Sequence, residues 1–260
     1  MARLRVLVPV NGAYSGKLRV KRATGMLDVE GVERVLSTPS VQAIVLARQL
    51  QAAGAEIVAL HVDRGGGEWV LREALSHGID QAVLIEGATG YEGDAAARAS
   101  LIADVYRHYG PFDVVIGPAW SEFGGFTGTL AAVAGQLELP CVVGVRSIAT
   151  EGFAFRIAYE SIFGTYDLRI PRPCVVLAGD LPVEQPTTWG IHDAHRVKGL
   201  IRVQADEGAL AKPFTKRLRV EAVQDERLTL EQVDGATLVR RMRSRGLIPE
   251  KNGGGKAAHG

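Results

Sequence analysis

Short runs of apolar residues, each long enough for one strand, alternate with helix-length stretches along the first 140 residues. The runs contain few polar residues, so both faces of the strands they predict should be buried. Strands of this kind occur in parallel sheets that are covered by helices on both sides. The pattern therefore predicts an α/β fold with a doubly wound, mostly parallel sheet. The four clearest runs are LRVLVPV (4–10), EIVALHV (56–62), QAVLIEG (81–87) and FDVVIG (112–117).

Each of these runs is followed by a stretch that predicts a helix. In the first stretch, Thr38 could cap the helix, Pro39 suits its first turn and Gly54 suits its end. The four stretches are STPSVQAIVLARQLQAAG (37–54), EWVLREALSHG (68–78), DAAARASLIADVYRHYG (94–110) and TGTLAAVAGQLELP (127–140).

The pattern changes after residue 140. Glycine-punctuated runs with partial alternation, residues 141–170, predict antiparallel strands, and PCVVLAG (173–179) returns to a buried strand. Residues 180–231 show little periodicity, and GATLVRRMRSRGLI (235–248) predicts a helix with a basic face. We expect an α/β nucleotide-binding domain over residues 1–185. Residues 186–248 should then form a partner-recognition loop, an extended arm and a C-terminal helix, with a disordered tail over residues 249–260.

Charge and cysteine usage exclude several classes of protein. The formal net charge is +1, which lacks the basic excess of a nucleic-acid binder. No apolar stretch is long enough to insert in a membrane, and the chain opens on a strand pattern with no signal-peptide apolar region. The two cysteines, Cys141 and Cys174, lie in apolar runs, so we expect buried thiols and no metal site. A cytoplasmic location is the expectation.

Four loops should meet at the carboxyl edge of the sheet, where open parallel sheets bind ligands. In two of them, glycine directly precedes a predicted helix. Such glycines let a phosphate approach the free N–H groups at a helix N-terminus, which predicts an anion site for a nucleotide phosphate. The alternative, that the glycines only permit the turn and Thr127 caps the helix, stays open. The loops are VNGAYSG (10–16), DRGGGEW (63–69), GATGYEG (87–93) and GPAWSEFGGFTG (117–128).

The familiar catalytic and nucleotide-binding motifs are absent. The sequence contains no GxGxxG or GxxxxGK[ST] fingerprint, no GxSxG turn, no HExxH pair and no paired CxxC. His192 and His195 are three residues apart in a stretch that reads as a loop, where exposure is more common than metal binding. Nothing in these patterns indicates a hydrolase or a lyase.

The ordered set of segments resembles the β subunit of electron transfer flavoproteins. The resemblance covers roughly residues 4–248, and the order of the segments carries it more than any one motif. The matching segments are LRVLVPVNGAYSGKLRVK (4–21), STPSVQAIVLARQLQAAGAEIVALHV (37–62), LREALSHGIDQAVLIE (71–86), FDVVIGPAWSEFGGFTGTLAAVAGQLELP (112–140), IPRPCVVLAGDLPVEQPTTWGIHDAHRVKGLI (170–201) and GATLVRRMRSRGLI (235–248).

The resemblance implies an electron carrier rather than a catalyst in its own right. Its fold would be of the adenine nucleotide alpha hydrolase-like, Rossmann-like kind, with an extended C-terminal arm. Its partner would be an α subunit that holds the redox FAD, while the β pocket holds AMP or a second FAD. A flavin-dependent dehydrogenase would dock on the loop around Trp189 and Ile191 and donate the electrons. The family also places a tyrosine near the flavin ring, which corresponds to Tyr14.

The sequence departs from the family at the nucleotide site. The family's Asn-Pro-x-Asp is Thr38-Pro39-Ser40-Val41, and Asn11 stands where lysine is expected. The loop Asp-x-Asp-x-x-Gln-Thr-Gly reads SEFGGFTG (121–128), which keeps only Thr-Gly. The resemblance and the glycine pattern together give the residues expected to bind cofactor: Pro9, Val10, Asn11, Tyr14, Thr38, His61, Asp63, Gly117, Pro118, Ala119, Gly124, Gly125, Phe126, Thr127, Gly128 and Thr129.

A second function of a different class fits the same α/β core. An adenine-nucleotide-binding sensor of the universal-stress type would use a similar pocket without any redox role. The long C-terminal arm favours the electron carrier, because a self-contained sensor has no use for an arm that reaches a partner.

Overall fold

The structure is a computed structural model that describes residues 3–16, 18–21, 27–63, 67–86, 94–122, 128–183, 200–204 and 234–246. The chain divides into two compact units, Met1–Val220 and Glu221–Gly260. The first unit contains the sheet and its covering helices. In the described part of the second unit there is one helix, whose first turn is capped by Asp234.

The described strands and helices follow the alternation that the sequence predicts. The strands are β1 (Arg5–Pro9), β2 (Gly12–Tyr14), β3 (Arg19–Val20), β4 (Leu27–Asp28), β5 (Arg34–Leu36), β6 (Glu56–Val62), β7 (Gln81–Glu86), β8 (Val114–Pro118), β9 (Cys141–Glu151), β10 (Ala154–Ser161), β11 (Gly164–Pro171), β12 (Cys174–Ala178) and β13 (Leu200–Gln204). The helices are α1 (Thr38–Arg48), α2 (Glu68–Ser76), α3 (Ala95–Tyr109), α4 (Thr129–Leu137) and α5 (Gly235–Ser244).

Nine strands form one sheet in the order β11-β10-β9-β12-β8-β1-β6-β7-β13. All neighbours from β9 across to β13 pair in parallel, and β9, β10 and β11 pair antiparallel. The chain runs outward from β1 through β6 to β7 and then returns through α3 to β8, on the other side of β1. The direction in which strands are added therefore reverses between β1 and β8. In open α/β sheets, a crevice forms at such a point, outside the carboxyl ends of the strands. The predicted α/β fold with a mostly parallel sheet is confirmed.

Alternate residues of each central strand face opposite layers of helices. Val6 and Val8 belong to the core that includes α1 and α2, whereas Leu7 belongs to the core that includes α3 and α4. All three side chains are fully buried. Because successive strand residues point to opposite faces, a strand covered on both sides needs apolar residues at every position. This explains why the apolar runs in the sequence are continuous and do not alternate with polar residues.

The second half of β9 forms an antiparallel extension of the sheet with β10 and β11, and this extension begins at Gly144. The first half of β9 pairs with β12, and the second half pairs with β10. Register shifts occur on both sides of this point, and Gly144 has a positive φ of 80°, which favours glycine. The strand can thus change partners while it stays hydrogen-bonded. Beyond this point the turns at the two ends of β10 carry large apolar side chains that remain exposed, Phe153 before the strand and Ile162 and Phe163 after it.

Several local features differ from the sequence-based expectations. Ser37, and not Thr38, is the N-cap of α1, since its hydroxyl accepts from the Ser40 N–H. The helix ends at Arg48, and a 3-10 turn then leads to Gly54, so the single long helix expected there is wrong. Cys174 is buried as expected, but Cys141 is exposed, because it starts β9 at the edge of the helix-covered sheet. No helix among the described residues is long and apolar enough to cross a membrane.

Candidate functional site

A cleft opens at the reversal point of the sheet, beside the carboxyl ends of β1 and β8. β1 contributes Pro9 and the two residues after it, and β8 contributes Pro118. β6, α3 and the start of α4 close the remaining sides. The full lining is Pro9, Val10, Asn11, Leu60, Val62, Arg98, Ile102, Pro118, Ser121, Thr129 and Leu130. The walls are thus mostly apolar, with a few polar groups at defined places, as in sites for small ligands.

The N-terminus of α4 points polar groups at this cleft. Gly128 is the N-cap, with a φ of 65° and no side-chain hydrogen bond to the helix. Thr129 lines the cleft and is only 8% exposed. The first N–H groups of a helix have no partner within it, and a threonine hydroxyl can donate a further hydrogen bond. Together they supply donors for an anionic group in the cleft.

Behind the cleft, the buried side chain of His61 fixes the end of β1. Its Nδ1 lies 2.9 Å from the carbonyl oxygen of Val10, and since a carbonyl only accepts, Nδ1 carries the proton. Burial lowers the pKa of His61, although the bond to Val10 and the charge of Asp63 oppose this shift. The ring is therefore neutral near neutral pH, and Nε2 is left as an acceptor.

Gly67 packs closely against the same histidine at the start of α2. A Cβ at this position would lie 2.6 Å from Oδ2 of Asp63 and 2.7 Å from Cδ2 of His61, so any side chain would force a shift. Gly67 is the N-cap of α2 and makes no side-chain hydrogen bond. The prediction that glycine directly precedes two helices at this edge is confirmed by Gly67 and Gly128.

A network of hydroxyl groups fixes the loop after β1 to the start of α1. The N–H of Asn11 donates to Oγ of Ser40 at 2.8 Å, and the N–H of Ser37 donates to the carbonyl of Asn11 at 2.9 Å. The two serine hydroxyls lie 2.8 Å apart. The next N–H, that of Thr38, donates to Oε1 of Glu122 at 2.9 Å. The N-terminus of α1 is therefore satisfied from within the chain.

The structure brings some of the expected site residues together and leaves others apart. Pro9, Val10, Asn11, Pro118 and Thr129 line the cleft. The others that are described are not part of its lining: His61 and Asp63 at the end of β6, Gly117 in β8, Ala119 after it, Gly128 before α4, Thr38 at α1 and Tyr14 in β2. Gly124, Gly125, Phe126, Thr127, Trp189 and Ile191 lie outside the described residues. Binding by any of these residues stays a prediction.

Sequence reasoning missed the contribution of α3 to the cleft. Arg98 and Ile102 lie one turn apart on that helix, and both line the site. No local motif marks them, because they reach the cleft only through the packing of α3 against α4 and β6. Leu60 and Leu130 were missed as well.

The described residues fit the phosphate of a nucleotide. The first N–H groups of α4 and the hydroxyl of Thr129 can donate hydrogen bonds, and a phosphate supplies several acceptors. The apolar walls can cover the uncharged part of such a ligand. Metal binding has no comparable support, since no group of three or more His, Cys, Asp or Glu side chains clusters among the described residues.

Comparison with known proteins identifies similar chains. The electron transfer flavoprotein domain family matches residues 24–180, which hold most of the sheet. The electron transfer flavoprotein subunit beta of Thermoanaerobacterium thermosaccharolyticum is 24% identical over 196 residues, which is 74% of this chain and 75% of that one. The subunit beta of Bacillus subtilis is 25% identical over 150 residues, which is 57% of this chain and 58% of that one.

Proposed function

We propose that this chain, which belongs to the electron transfer flavoprotein domain family, works as the β subunit of a heterodimer that carries electrons. The electrons come from a flavin-dependent dehydrogenase and pass to a downstream acceptor. The redox FAD is held mainly by the α subunit. That flavin supplies the electron chemistry when it is bound. The observation that carries the proposal is the family match over residues 24–180, most of the chain that builds the sheet.

In this proposal the cleft at the carboxyl edge holds the phosphate of an adenine nucleotide, either AMP or a second FAD. Support comes from the start of α4, where Thr129, the first residue of the helix, lines the cleft. This chain would bind and orient the nucleotide through the hydroxyl of Thr129 and the N–H groups of the first turn.

The exposed side of the antiparallel extension supports a protein partner. Ile162 and Phe163, in the turn between β10 and β11, are 93% and 83% exposed, and Phe153, in the turn between β9 and β10, is 93% exposed. Adjacent large apolar side chains on a surface, such as Ile162 and Phe163, mark interaction sites. We assign this surface to the α subunit. Residues 186–248 would add the dehydrogenase loop and an arm, and the heterodimer would be cytoplasmic.

Co-purification tests the proposal. The native chain should purify with one larger partner and with yellow flavin absorbance, and a flavin-dependent dehydrogenase with its substrate should bleach that absorbance. A double substitution Ile162→Ser with Phe163→Ser should release the partner, whereas Thr165→Ala on the same hairpin should not. A chain that purifies alone and colourless, with an adenine nucleotide bound, would contradict the electron-carrier role and favour a sensor.

A further inference from the structure

The antiparallel extension ends in an edge strand that is long, regular and exposed. β11 is the last strand on this side of the sheet, so among the described strands only β10 pairs with it. Seven of its eight residues are exposed, and its ladder with β10 contains no bulge. The outward N–H and C=O groups of such an edge form a template for another strand, which proteins usually block with bulges, prolines or charged side chains. In β11, proline occurs only at the last position, Pro171.

The two charged residues of β11 have opposite signs and lie two positions apart. Asp167 and Arg169 therefore point to one face of the sheet, with Leu168 between them on the other face. When two copies of β11 pair antiparallel about Leu168, each Asp167 lies opposite the Arg169 of the second copy. In the same register Leu168 lies opposite its own copy, and Tyr166 lies opposite Ile170. Both faces of the strand are thus complementary to themselves.

Neighbouring registers lack this match. A shift by two residues places Asp167 opposite Asp167, or Arg169 opposite Arg169, and like charges directly opposite each other destabilise a sheet. A shift by one residue places Asp167 opposite Leu168, which sets a charged side chain against the apolar row. The residues of β11 therefore specify one register for self-pairing.

The partners of these two charges within the chain are weak. Asp167 lies 3.8 Å from Arg156, Arg169 lies 3.4 Å from Glu151, and the four side chains are between 51% and 68% exposed. Exposed ion pairs of this kind contribute little to stability. Arg169 also lies directly opposite Arg156 in the ladder with β10, where the two positive charges repel each other. An Asp167 from a second copy, on the other side of Arg169, would offset this repulsion.

The apolar face of β11 continues rows of side chains that are covered further into the sheet. Leu168 pairs with Ile157, which is fully buried, and the ring of Tyr166 stacks on that of Tyr159 with centroids 5.4 Å apart. Leu168 and Tyr166 nevertheless remain 39% and 42% exposed, because no described strand follows β11. A second copy would extend each apolar row across the two-fold axis and cover this area.

We propose that two copies of this chain associate through their β11 strands, which pair antiparallel about Leu168 and join the two sheets into one. The contact is isologous, with Asp167 of each copy paired to Arg169 of the other. The paired segment, residues 165–171, does not include the two turns that are assigned to the α subunit. The heterodimer of the proposed function would therefore form a particle with two copies of each subunit. The pairing itself does not depend on the redox role.

Analytical ultracentrifugation of the purified native protein, with whatever subunit accompanies it, tests this contact. The particle should contain two copies of this chain. Asp167→Arg and Arg169→Asp should each halve the particle mass, because each substitution sets like charges opposite one another at both pairs. An equimolar mixture of the two variants should restore the full mass, since each variant supplies the charges that the other lacks. Asp104→Arg, the same charge change at an exposed site on α3, is the matched control and should leave the mass unchanged.

The double variant Asp167→Arg with Arg169→Asp should also keep the full mass, because it exchanges the two charges and preserves their match. A native particle with one copy of this chain overturns the proposal, and amides of β11 that the α subunit protects from exchange would then assign the edge to that subunit. Full mass in both single variants overturns it as well. A mass that neither the mixture nor the double variant recovers overturns the pairing of Asp167 with Arg169.

These outcomes are distinct from failure of the proposed function. A chain that purifies without an α subunit contradicts the electron-carrier role, yet two copies per particle are expected in that case too. Should a single variant lower the melting temperature, the mixture still decides, because a chain that does not fold cannot recover the mass when it is mixed with the other variant.

Discussion

The backbone N–H of Thr38 donates a 2.9 Å hydrogen bond to the carboxylate of Glu122, a residue 84 positions away. The bond joins the start of α1 to the loop after β8, which also contributes Ser121 to the cleft. A carboxylate at a helix N-terminus is favoured both by the free N–H groups and by the dipole. The chain thus supplies its own anion at the start of α1.

Glu122→Ala should lower the free energy of unfolding by about 1 kcal/mol or less, since the pair is exposed. Glu122→Gln keeps a hydrogen-bond acceptor, so it should lose only the part of the stabilisation that depends on the negative charge. High salt screens the same part. Urea unfolding at low and high salt measures both effects. Glu30→Gln, an exposed change of equal charge, serves as the control. A loss in Glu122→Gln that is the same at both salt concentrations would contradict the charge-based explanation.

Thr129→Val should weaken adenine-nucleotide binding without harming the nucleotide-free protein. Thr129 lines the cleft and is only 8% exposed, and valine has nearly the same shape, so the apolar packing is kept. Loss of one hydrogen bond to the ligand should reduce affinity by roughly two- to tenfold. Calorimetry measures the affinity and thermal unfolding measures stability. Thr150→Val, at an exposed site on β9, should change neither. A destabilised Thr129→Val protein with unchanged affinity would show that the hydroxyl is structural.

Stability should fall as the pH drops below about 6.5. Burial lowers the pKa of both His61 and His77, so the unfolded chain binds protons that the folded chain does not. The stabilisation is present above the ordinary histidine pKa and is lost as pH falls towards the lowered value, by at most about 1.4 kcal/mol per pH unit per group. Urea unfolding across this range measures the slope.

His61→Asn should make that slope shallower, because asparagine cannot titrate but can still donate towards the carbonyl of Val10. His108→Asn, an exposed substitution on α3, should leave the slope as it is. An unchanged slope in His61→Asn would mean that His61 does not contribute to the pH dependence.

Tyr14→Ala should shift the flavin absorbance or reduction potential of the heterodimer. Tyr14 lies in β2 and pairs with Arg34 of β5, in a hairpin next to the cleft end of β1. The family resemblance places such a ring near the flavin, where aromatic contact changes the flavin's surroundings. Tyr14→Phe keeps the ring and should retain most of the wild-type spectrum. Spectra and potential that stay the same in Tyr14→Ala would count against the contact.

Trp189→Ala should slow electron transfer from the cognate dehydrogenase by about tenfold or more, since buried tryptophans are frequent binding hot spots. Trp189 and Ile191 lie outside the described residues, so this prediction rests on the sequence. Heterodimer assembly, flavin content and melting temperature should stay unchanged, and stopped-flow reduction measures the rate. Released flavin or a lower melting temperature, with normal transfer per flavin, would make Trp189 structural.

The sequence by itself determined the layered α/β core and the family. A strand buried on both faces must be apolar at every position, and Val6, Leu7 and Val8 show this without any knowledge of their neighbours. Glycine before a helix is similarly local, which is why Gly67 and Gly128 were predictable from the chain alone.

Only the tertiary structure decided which side chains share the cleft and how the sheet ends. Residues 200–204 form β13, which pairs with β7 at the edge of the sheet, but this strand was not predicted because residues 180–231 show little periodicity. Arg98 reaches the cleft because α3 crosses back over the sheet before β8, and Glu122 reaches Thr38 because β8 lies beside β1. Contacts between residues distant in sequence depend on the order of strands, and the local preferences of the residues do not encode that order.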